Sequence, residues 1–338
     1  MGKTRVLIVD DSAFAREMIA AILSTDSDIH IIGEATNGKE AVESVKEKKP
    51  DIVTMDIEMP VMDGLEAIEH IMSSTPVPIL VVTTRGDAHT AYAAISKGAL
   101  DLVQKPDVNL EGAREFIDKI KLLSKIRVIT HISVKRTAKE MEIQKPVFSG
   151  KADDRIIAIA SSTGGPEALS IIFSRLPEKF PFPIVVAQHM SDGFVPGMVE
   201  WLKNISRLNI KVASKDEALS GGVVYVSPSE NHIEINETKR ISFVERHPKD
   251  IYRPSCDVLL SSVARIYGKK ALGVILTGMG SDGAAGMKKI KDTGGITIAQ
   301  DEKTSVVFGM NKVAIDSGCI DKILQVDEIS DKLVQLIK

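Results

Sequence analysis

The sequence has few cysteines, little net charge and no apolar run long enough to cross a membrane. Its two cysteines, Cys256 and Cys319, can form at most one disulfide, which favours a reducing compartment over a disulfide scaffold. The net charge of −3 argues against nucleic-acid binding as the main function. The apolar run at residues 6–9 is too short for a signal peptide or a membrane span. We therefore expect a cytoplasmic protein that neither binds nucleic acid nor inserts into a membrane.

The composition and patterning are those of a globular chain with two domains. Hydrophobic residues make up 43% of the 338 residues, and this length predicts about two domains. In the first third, apolar runs alternate with amphipathic stretches, which predicts a parallel sheet covered by helices. The predicted strands are residues 6–9, 29–32, 52–55, 79–82 and 100–103, and the predicted helices are 11–23, 40–47, 64–72, 88–97 and 110–125.

A second pattern of the same kind begins at Arg155. A polar stretch broken by Lys145-Pro146 and Ser149-Gly150 separates the two patterns and predicts a linker. The fold class is thus α/β, with two doubly wound parallel-sheet domains at residues 1–122 and 155–338 and a linker at 123–154. The predicted strands of the second domain are 156–160, 184–187, 210–213, 223–226, 272–276 and 296–299, a hairpin is predicted at 233–235 and 241–244, and helices at 166–175, 195–204, 257–267, 283–293 and 326–337.

Five polar residues follow the predicted strands of the first domain. Their side chains should converge, because the carboxyl ends of parallel strands share one edge of the sheet. Three of them are carboxylates, which repel one another unless a cation such as Mg²⁺ lies among them. Taken singly, Asp10 and Asp11 could cap the following helix and Lys105 could be a solvated charge. The five residues are Asp10, Asp11, Asp56, Thr83 and Lys105.

This arrangement resembles the response-regulator receiver family over about residues 1–122. The resemblance implies a flavodoxin-like fold and phosphorylation of Asp56 by a chemotaxis histidine kinase. It implies that Asp10, Asp11, Asp56 and the backbone carbonyl of Glu58 hold Mg²⁺. Thr83 and Lys105 are expected to contact the phosphoryl group. The sequence departs from the family at Leu102, where an aromatic residue often reports phosphorylation.

Three strands of the second domain run into a serine, a histidine and an aspartate. Ser162, His189 and Asp282 each come just after a predicted strand, where a doubly wound fold places reactive groups. A hydroxyl, an imidazole and a carboxylate are the groups that nucleophilic hydrolysis requires. We predict that they form a catalytic triad.

Two other interpretations of these segments stay open on pattern alone. The hydroxyls at 161–163, and Asp282, could cap the helices that follow them. Gly278-x-Gly280-x-x-Gly283 also fits a dinucleotide-binding fingerprint, with Asp301 beyond the next strand. That interpretation leaves Ser162 and His189 without a function.

Residues 155–338 resemble the catalytic domain of the CheB protein-glutamate methylesterases. The matching segments are Ser161–Gly165, Gln188–Met190, Arg253–Asp257 and Leu276–Met287. The resemblance implies a Rossmann-like domain without a cofactor, in which Ser162 is the nucleophile, His189 the base and Asp282 the orienting acid. The expected oxyanion site is formed by backbone N–H groups near Thr163 and Met279.

The expected function is that of a phosphorylation-regulated enzyme of two-component signalling in chemotaxis. The family resemblance implies demethylation of glutamate γ-methyl esters on the cytoplasmic helices of methylated chemoreceptors, and deamidation of glutamines there. It also implies that the unphosphorylated receiver covers the active site. The alternative is a phospho-switched protein that binds a dinucleotide or a partner without hydrolysis.

Overall fold

The computed structural model describes residues 2–84, 88–106, 110–126, 128, 154–247 and 250–337. The chain divides into two units, residues 1–149 and 150–338. The predicted linker at 123–154 lies almost entirely outside the described residues, and its boundaries stay predictions. Within the described ranges, no helix is both long and apolar enough to span a bilayer.

The first unit alternates five strands with five helices, as the sequence predicts. The strands form one parallel sheet. The elements are β1 (Thr4–Val9), α1 (Ala13–Leu23), β2 (Ile29–Ala35), α2 (Gly38–Lys48), β3 (Ile52–Met55), α3 (Gly64–Ser74), β4 (Ile79–Thr83), α4 (Ala88–Ser96), β5 (Asp101–Gln104) and α5 (Leu110–Leu123). The strand order is β2-β1-β3-β4-β5. Helix α1 begins later than predicted because Ser12 caps it, with its side chain accepting the N–H of Ala15.

The second unit contains a larger parallel sheet and a separate hairpin. Its elements are β6 (Ile156–Ser161), α6 (Gly165–Arg175), β7 (Ile184–Gln188), α7 (Val195–Ile205), β8 (Asn209–Val212), β9 (Val223–Val226), β10 (Asn231–Ile235), β11 (Ile241–Glu245), α8 (Cys256–Tyr267), β12 (Ala271–Ile275), α9 (Ala284–Asp292), β13 (Ile296–Gln300), α10 (Met310–Asp316), β14 (Lys322–Leu324) and α11 (Val326–Gln335). The sheet order is β14-β13-β12-β6-β7-β9-β8, and β10 pairs with β11 in an antiparallel hairpin. The predicted α/β class with two parallel sheets is confirmed.

Two short elements of the second unit have no counterpart in the sequence prediction. Strand β14 has only three residues at the sheet edge, and the side chains of Lys322 and Ile323 are exposed. Helix α10 has seven residues. Elements this short carry too few periodic positions for a pattern to reveal them.

The strand order creates one crevice that matters for function. Strand β6 lies between β7 and β12, so the chain leaves β6 in one direction and returns on its other side. Ligands bind in doubly wound folds at such reversals, outside the carboxyl ends of the strands. Helix α8 packs against β6 in the buried apolar core, which sets its first turn near the same strand ends.

Candidate functional site

Two aspartates at the ends of adjacent strands form the centre of the acidic cluster. Asp10 directly follows β1, Asp56 directly follows β3, and both side chains are buried. Asp11 is exposed, yet one carboxylate oxygen from each of the three residues lies within 4.8 Å of the others. Neither Asp10 nor Asp11 caps α1, because Ser12 does so. Asp10 Oδ1 accepts the N–H of Ser12 and Asp56 Oδ1 accepts the N–H of Ile57, so the Oδ2 atoms are the ones that meet the lysine described next.

Lys105, which follows β5, supplies one cation to this cluster. Its Nζ lies 2.8 Å from Asp10 Oδ2 and 2.7 Å from Asp56 Oδ2. Burial acts to lower the pKa of Lys105, but the two carboxylates raise it above its ordinary value. Burial raises the pKa of Asp56, and Lys105 offsets that rise only in part. The ionised carboxylate of Asp56 is thus less stable here than in water.

The other predicted residues of this edge are compatible with a divalent cation and a phosphoryl group. Thr83 ends β4, and its buried Oγ1 has no hydrogen-bond partner among the described residues. Glu58 is exposed two residues after Asp56. The three carboxylates offer the oxygen ligands that Mg²⁺ prefers, so the donor set fits this ion. Leu102 is buried in β5, where it offers no polar group.

Ser162 directly follows β6 and is fixed by bonds to both neighbouring strand ends. Its backbone N–H donates to the carbonyl of Thr277 at 3.1 Å, and its carbonyl accepts from Nε2 of Gln188 at 2.8 Å. The following helix α6 is capped by Gly164 without any side-chain bond. The hydroxyls at 161–163 are therefore not helix caps, and the side chain of Ser162 is buried beside the crevice.

His189 and Asp282 are joined in the structure. His189 follows β7, Asp282 lies between β12 and α9, and Nε2 of the imidazole is 2.8 Å from Oδ2. An ionised carboxylate only accepts hydrogen bonds, so Nε2 carries the proton and Nδ1 keeps its lone pair. Within the described residues no hydrogen bond joins His189 to the Ser162 hydroxyl. The backbones are close, because the N–H of His189 donates to the carbonyl of Ser161 at 2.9 Å.

Asp282 accepts hydrogen bonds from the first turn of α8 as well as from His189. The N–H of Cys256 lies 2.6 Å from Oδ2, the N–H of Asp257 lies 3.0 Å from Oδ1, and the Ser255 hydroxyl lies 3.1 Å from Oδ1. Burial acts to raise the pKa of Asp282, but His189 and the two N–H groups lower it below the ordinary value. Asp282 is thus a carboxylate, and α9 is capped by Gly283 instead.

The backbone around Ser162 offers two N–H groups without a partner. Those of Thr163 and Met279 donate no hydrogen bond to any residue that the structure describes. The loop that carries Met279 lies against the serine, since a Cβ added at Gly278 would come within 2.6 Å of Ser162 Cβ. Unpaired N–H groups beside a hydroxyl are the donors that an oxyanion requires.

Two residues that touch His189 were not predicted to do so. The ring of Tyr252 stacks on the imidazole, with centroids 5.0 Å apart and planes inclined by 15°. Cys256 is buried, and its Sγ lies 3.4 Å from His189 Nε2. Burial, and then Asp282, raise the pKa of this thiol well above its ordinary value, so it is not a thiolate. Both residues lie more than 60 positions from His189 in the sequence, and only their presence in or beside the segment Arg253–Asp257 pointed to them.

Comparisons with known proteins match each unit to a different family model and the whole chain to relatives of one name. A family model described as CheB methylesterase matches residues 157–333, and one described as response regulator receiver domain matches residues 6–118. A protein-glutamate methylesterase/protein-glutamine glutaminase 3 from Paramagnetospirillum magneticum is 47% identical, covering 99% of this chain and 96% of its own. A protein of the same name, without the number, from Archaeoglobus fulgidus is 41% identical over 99% of this chain and 98% of its own.

One solved structure is similar to the second unit. The CheB methylesterase catalytic domain of Thermotoga maritima is 40% identical, with a TM-score of 0.52. It is covered over 99% of its length and matches 54% of this chain.

Proposed function

This chain belongs to the CheB methylesterase family, and we propose that it is a phosphorylation-regulated serine hydrolase acting in chemotaxis. It hydrolyses glutamate γ-methyl esters on the cytoplasmic helices of methylated chemoreceptors and deamidates glutamines there. The hydrogen bond between His189 and Asp282, beside Ser162, is the observation that carries the proposal. The dinucleotide-binding and partner-binding alternatives are not favoured by the family.

In the proposed mechanism Ser162 is the nucleophile and His189 the general base. Nδ1 of His189 takes the hydroxyl proton while Oγ bonds to the ester carbonyl carbon. Asp282 stabilises the imidazolium that forms. The imidazolium then protonates the methoxy oxygen, the C–O bond breaks, and methanol leaves an acyl-enzyme. Water attacks this ester with the same base and releases glutamate. For a glutamine substrate, ammonia leaves in place of methanol.

The first step requires Ser162 and His189 to come into hydrogen-bond contact. Catalytic hydrogen bonds are often long without substrate and tighten in the substrate complex. Both residues follow strands that are hydrogen-bonded to each other through Ser161 and Gln188. The rearrangement that we propose is therefore one of the side chains at these strand ends, within a backbone that is already paired.

The negative charge that develops on the carbonyl oxygen is stabilised by backbone groups. We assign this function to the N–H groups of Thr163 and Met279, because neither has a partner among the described residues. The amino end of α6, which begins at Gly165, adds the favourable end of its dipole. Losing one such donor typically costs about 10²–10³ in kcat.

The receiver unit regulates the hydrolase through phosphorylation of Asp56 by a histidine kinase. Asp10, Asp11 and Asp56, with the backbone carbonyl of Glu58, would hold Mg²⁺, which would supply positive charge to neutralise phosphoryl oxygens. Thr83 donates its unpaired hydroxyl to the phosphoryl group, and Lys105 pairs with it. Phosphorylation then shifts the protein toward its active state. We propose a cytoplasmic location, because the proposed substrate sites lie on the cytoplasmic helices of the receptors.

Methanol release from methylated receptor by the full-length protein tests the proposal. We expect release by the wild type, stimulation by a small-molecule phosphodonor, and none of that stimulation in Asp56→Asn. Ser162→Ala should abolish release while remaining folded, and Ser174→Ala, a change of an exposed serine on α6, should be normal. Full turnover by Ser162→Ala would refute the assignment. Saturable nicotinamide-nucleotide binding without methanol release would support the dinucleotide alternative instead.

A further inference from the structure

We propose that Tyr252 is a positioning residue for His189, holding the imidazole in the plane in which it can serve both Asp282 and Ser162. This inference rests on the proposed function. It starts from the stacked contact between the two rings, whose centroids are 5.0 Å apart at an interplanar angle of 15°. A near-parallel, face-to-face contact of this kind restricts the tilt of a ring.

The hydrogen bond to Asp282 cannot fix the imidazole by itself. That bond holds one atom of the ring, Nε2, while small rotations about the Cα–Cβ and Cβ–Cγ bonds can still tilt the ring plane. Such tilting moves Nδ1, the atom that must accept the proton from Ser162. Among the described residues, the side chains that hydrogen-bond to the imidazole are Asp282 and Cys256, both at the Nε2 edge. Tyr252 instead contacts a face of the ring.

The chain segment that carries Tyr252 is itself held at both ends by one buried histidine. His232 donates from Nε2 to Asp250 Oδ2 at 2.9 Å and accepts the N–H of Ser255 at Nδ1 at 2.8 Å. Between these anchors, the carbonyl of Arg253 accepts the N–H of Met190, the residue after His189. The backbone on both sides of Tyr252 is thus fixed by hydrogen bonds, one of them to the residue after the proposed base.

The hydroxyl end of Tyr252 reaches the loop proposed to bind the oxyanion. A Cβ added at Gly280 would lie 2.8 Å from Tyr252 Oη, so this oxygen rests against the residue after Met279. The tyrosine therefore lies between the base and the oxyanion loop. The stacking contact predicts that the ring carries the positioning effect, with the hydroxyl secondary.

Three variants of the full-length protein separate these contributions. Tyr252→Phe keeps the ring, Tyr252→Leu removes it at a similar bulk, and Ile251→Ala changes the exposed neighbour on the same segment. We expect Tyr252→Leu to lower kcat for methanol release about 10–100-fold with KM little changed, the pattern of lost orientation. Tyr252→Phe should restore kcat to within about threefold of wild type, and Ile251→Ala should match wild type.

A second measurement needs no substrate. With the seven histidines carbon-13 labelled and His189 assigned through His189→Gln, the ring protons of His189 should show a ring-current shift. The shift should persist in Tyr252→Phe and vanish in Tyr252→Leu. If the wild type shows the shift but releases no methanol, the proposed function fails while the contact stands.

Three outcomes would overturn the positioning role. The first is an equal loss of kcat in Tyr252→Phe and Tyr252→Leu, which would assign the effect to the hydroxyl. The second is a raised KM with unchanged kcat in Tyr252→Leu, which would make Tyr252 a substrate contact only. The third is a His189 shift that is the same in Tyr252→Leu as in the wild type.

Discussion

His189 directs its Nε2 at Asp282 Oδ2 over 2.8 Å, and this contact selects the other ring nitrogen as the base. The carboxylate fixes the tautomer, because it can only accept the Nε2 proton. A hydrogen-bond donor in place of the Asp282 carboxylate would instead favour the tautomer in which Nδ1 of His189 carries the proton.

Asp282→Asn should lower kcat for methanol release by about 10³–10⁴-fold, the size of effect seen when a triad acid becomes an amide. An amide stabilises no imidazolium and can present N–H to Nε2, which then places the histidine proton on Nδ1. Initial rates on methylated receptor measure the effect. The matched control is Asp292→Asn on the exposed end of α9, which should leave the rate unchanged. Wild-type rates in Asp282→Asn would remove this residue from the mechanism.

Asp282 should also make stability depend on pH below about 4. Its pKa in the folded protein is lower than the ordinary value of about 3.9 expected for the unfolded chain. A lowered pKa contributes stability that is present above the unfolded value and is lost as pH falls through the folded value. The stability difference between wild type and Asp282→Asn should therefore shrink on acidification.

Fluorescence of Trp201 during urea unfolding provides that measurement. Trp201 is the single tryptophan and lies in α7, so it reports on the second unit. A difference between the two proteins that stays constant from pH 6 to pH 3 would contradict the assigned direction of the pKa change.

Lys105→Met should destabilise the first unit in the presence of a chelator, and Mg²⁺ should restore more stability to this variant than to the wild type. Removing the ammonium leaves Asp10 and Asp56 without their shared partner, a loss of about 1–3 kcal/mol. A divalent cation at the three carboxylates replaces the lost charge. Hydrogen exchange of the β1 and β3 backbone measures both effects.

Lys121→Met is the matched control for Lys105. Lys121 pairs with Asp26 and Asp28 at the surface, where such pairs contribute at most about 1 kcal/mol. This variant should lose little stability and respond to Mg²⁺ as the wild type does. An identical Mg²⁺ increment in Lys105→Met and wild type would argue against a cation among Asp10, Asp11 and Asp56.

Gly280→Ala should reduce activity at least about tenfold, beyond its cost in stability. Gly280 has a φ of +89°, so alanine is strained there, and the new Cβ would press on Tyr252 Oη. Gly268→Ala is the control, because its φ is +52° and a Cβ there meets no atom within 4 Å. Both variants should unfold more readily, by about 1–2 kcal/mol, but only Gly280→Ala should lose turnover. Equal activity in the two would show that the loop tolerates displacement.

The sequence predicted those features that depend on strand ends. Apolar runs reveal strands, and the edge shared by parallel strands then brings together Asp10, Asp56 and Lys105 without any knowledge of loops. The same rule places His189 at the crevice, because it directly follows β7, a neighbour of β6. Asp282 lies further along, in the loop between β12 and α9, so its hydrogen bond to His189 also depends on the path of that loop.

Contacts made by irregular segments could not be predicted in this way. Tyr252 reaches His189 from a stretch between β11 and α8 that has no periodicity, and its path depends on His232 in a distant hairpin. A pattern of strands is equally unable to predict a contact between Ser162 and His189, because it carries no information on side-chain orientation. The positions of strand ends locate a residue to within a few ångströms, whereas catalysis requires its reacting atoms to be placed to within about 1 Å.

Asp282 receives the N–H groups of Cys256 and Asp257, which are the first two residues of α8. The proposed orienting acid therefore also connects the start of α8 to the loop that leads into α9. If α8 is displaced, Asp282 loses the N–H groups that hold it, and His189 loses the hydrogen bond that is proposed to set its tautomer. We therefore expect a protein with α8 displaced to be inactive rather than unregulated. A glutamate at this position would have to reach both His189 and the first turn of α8 with a side chain one methylene longer.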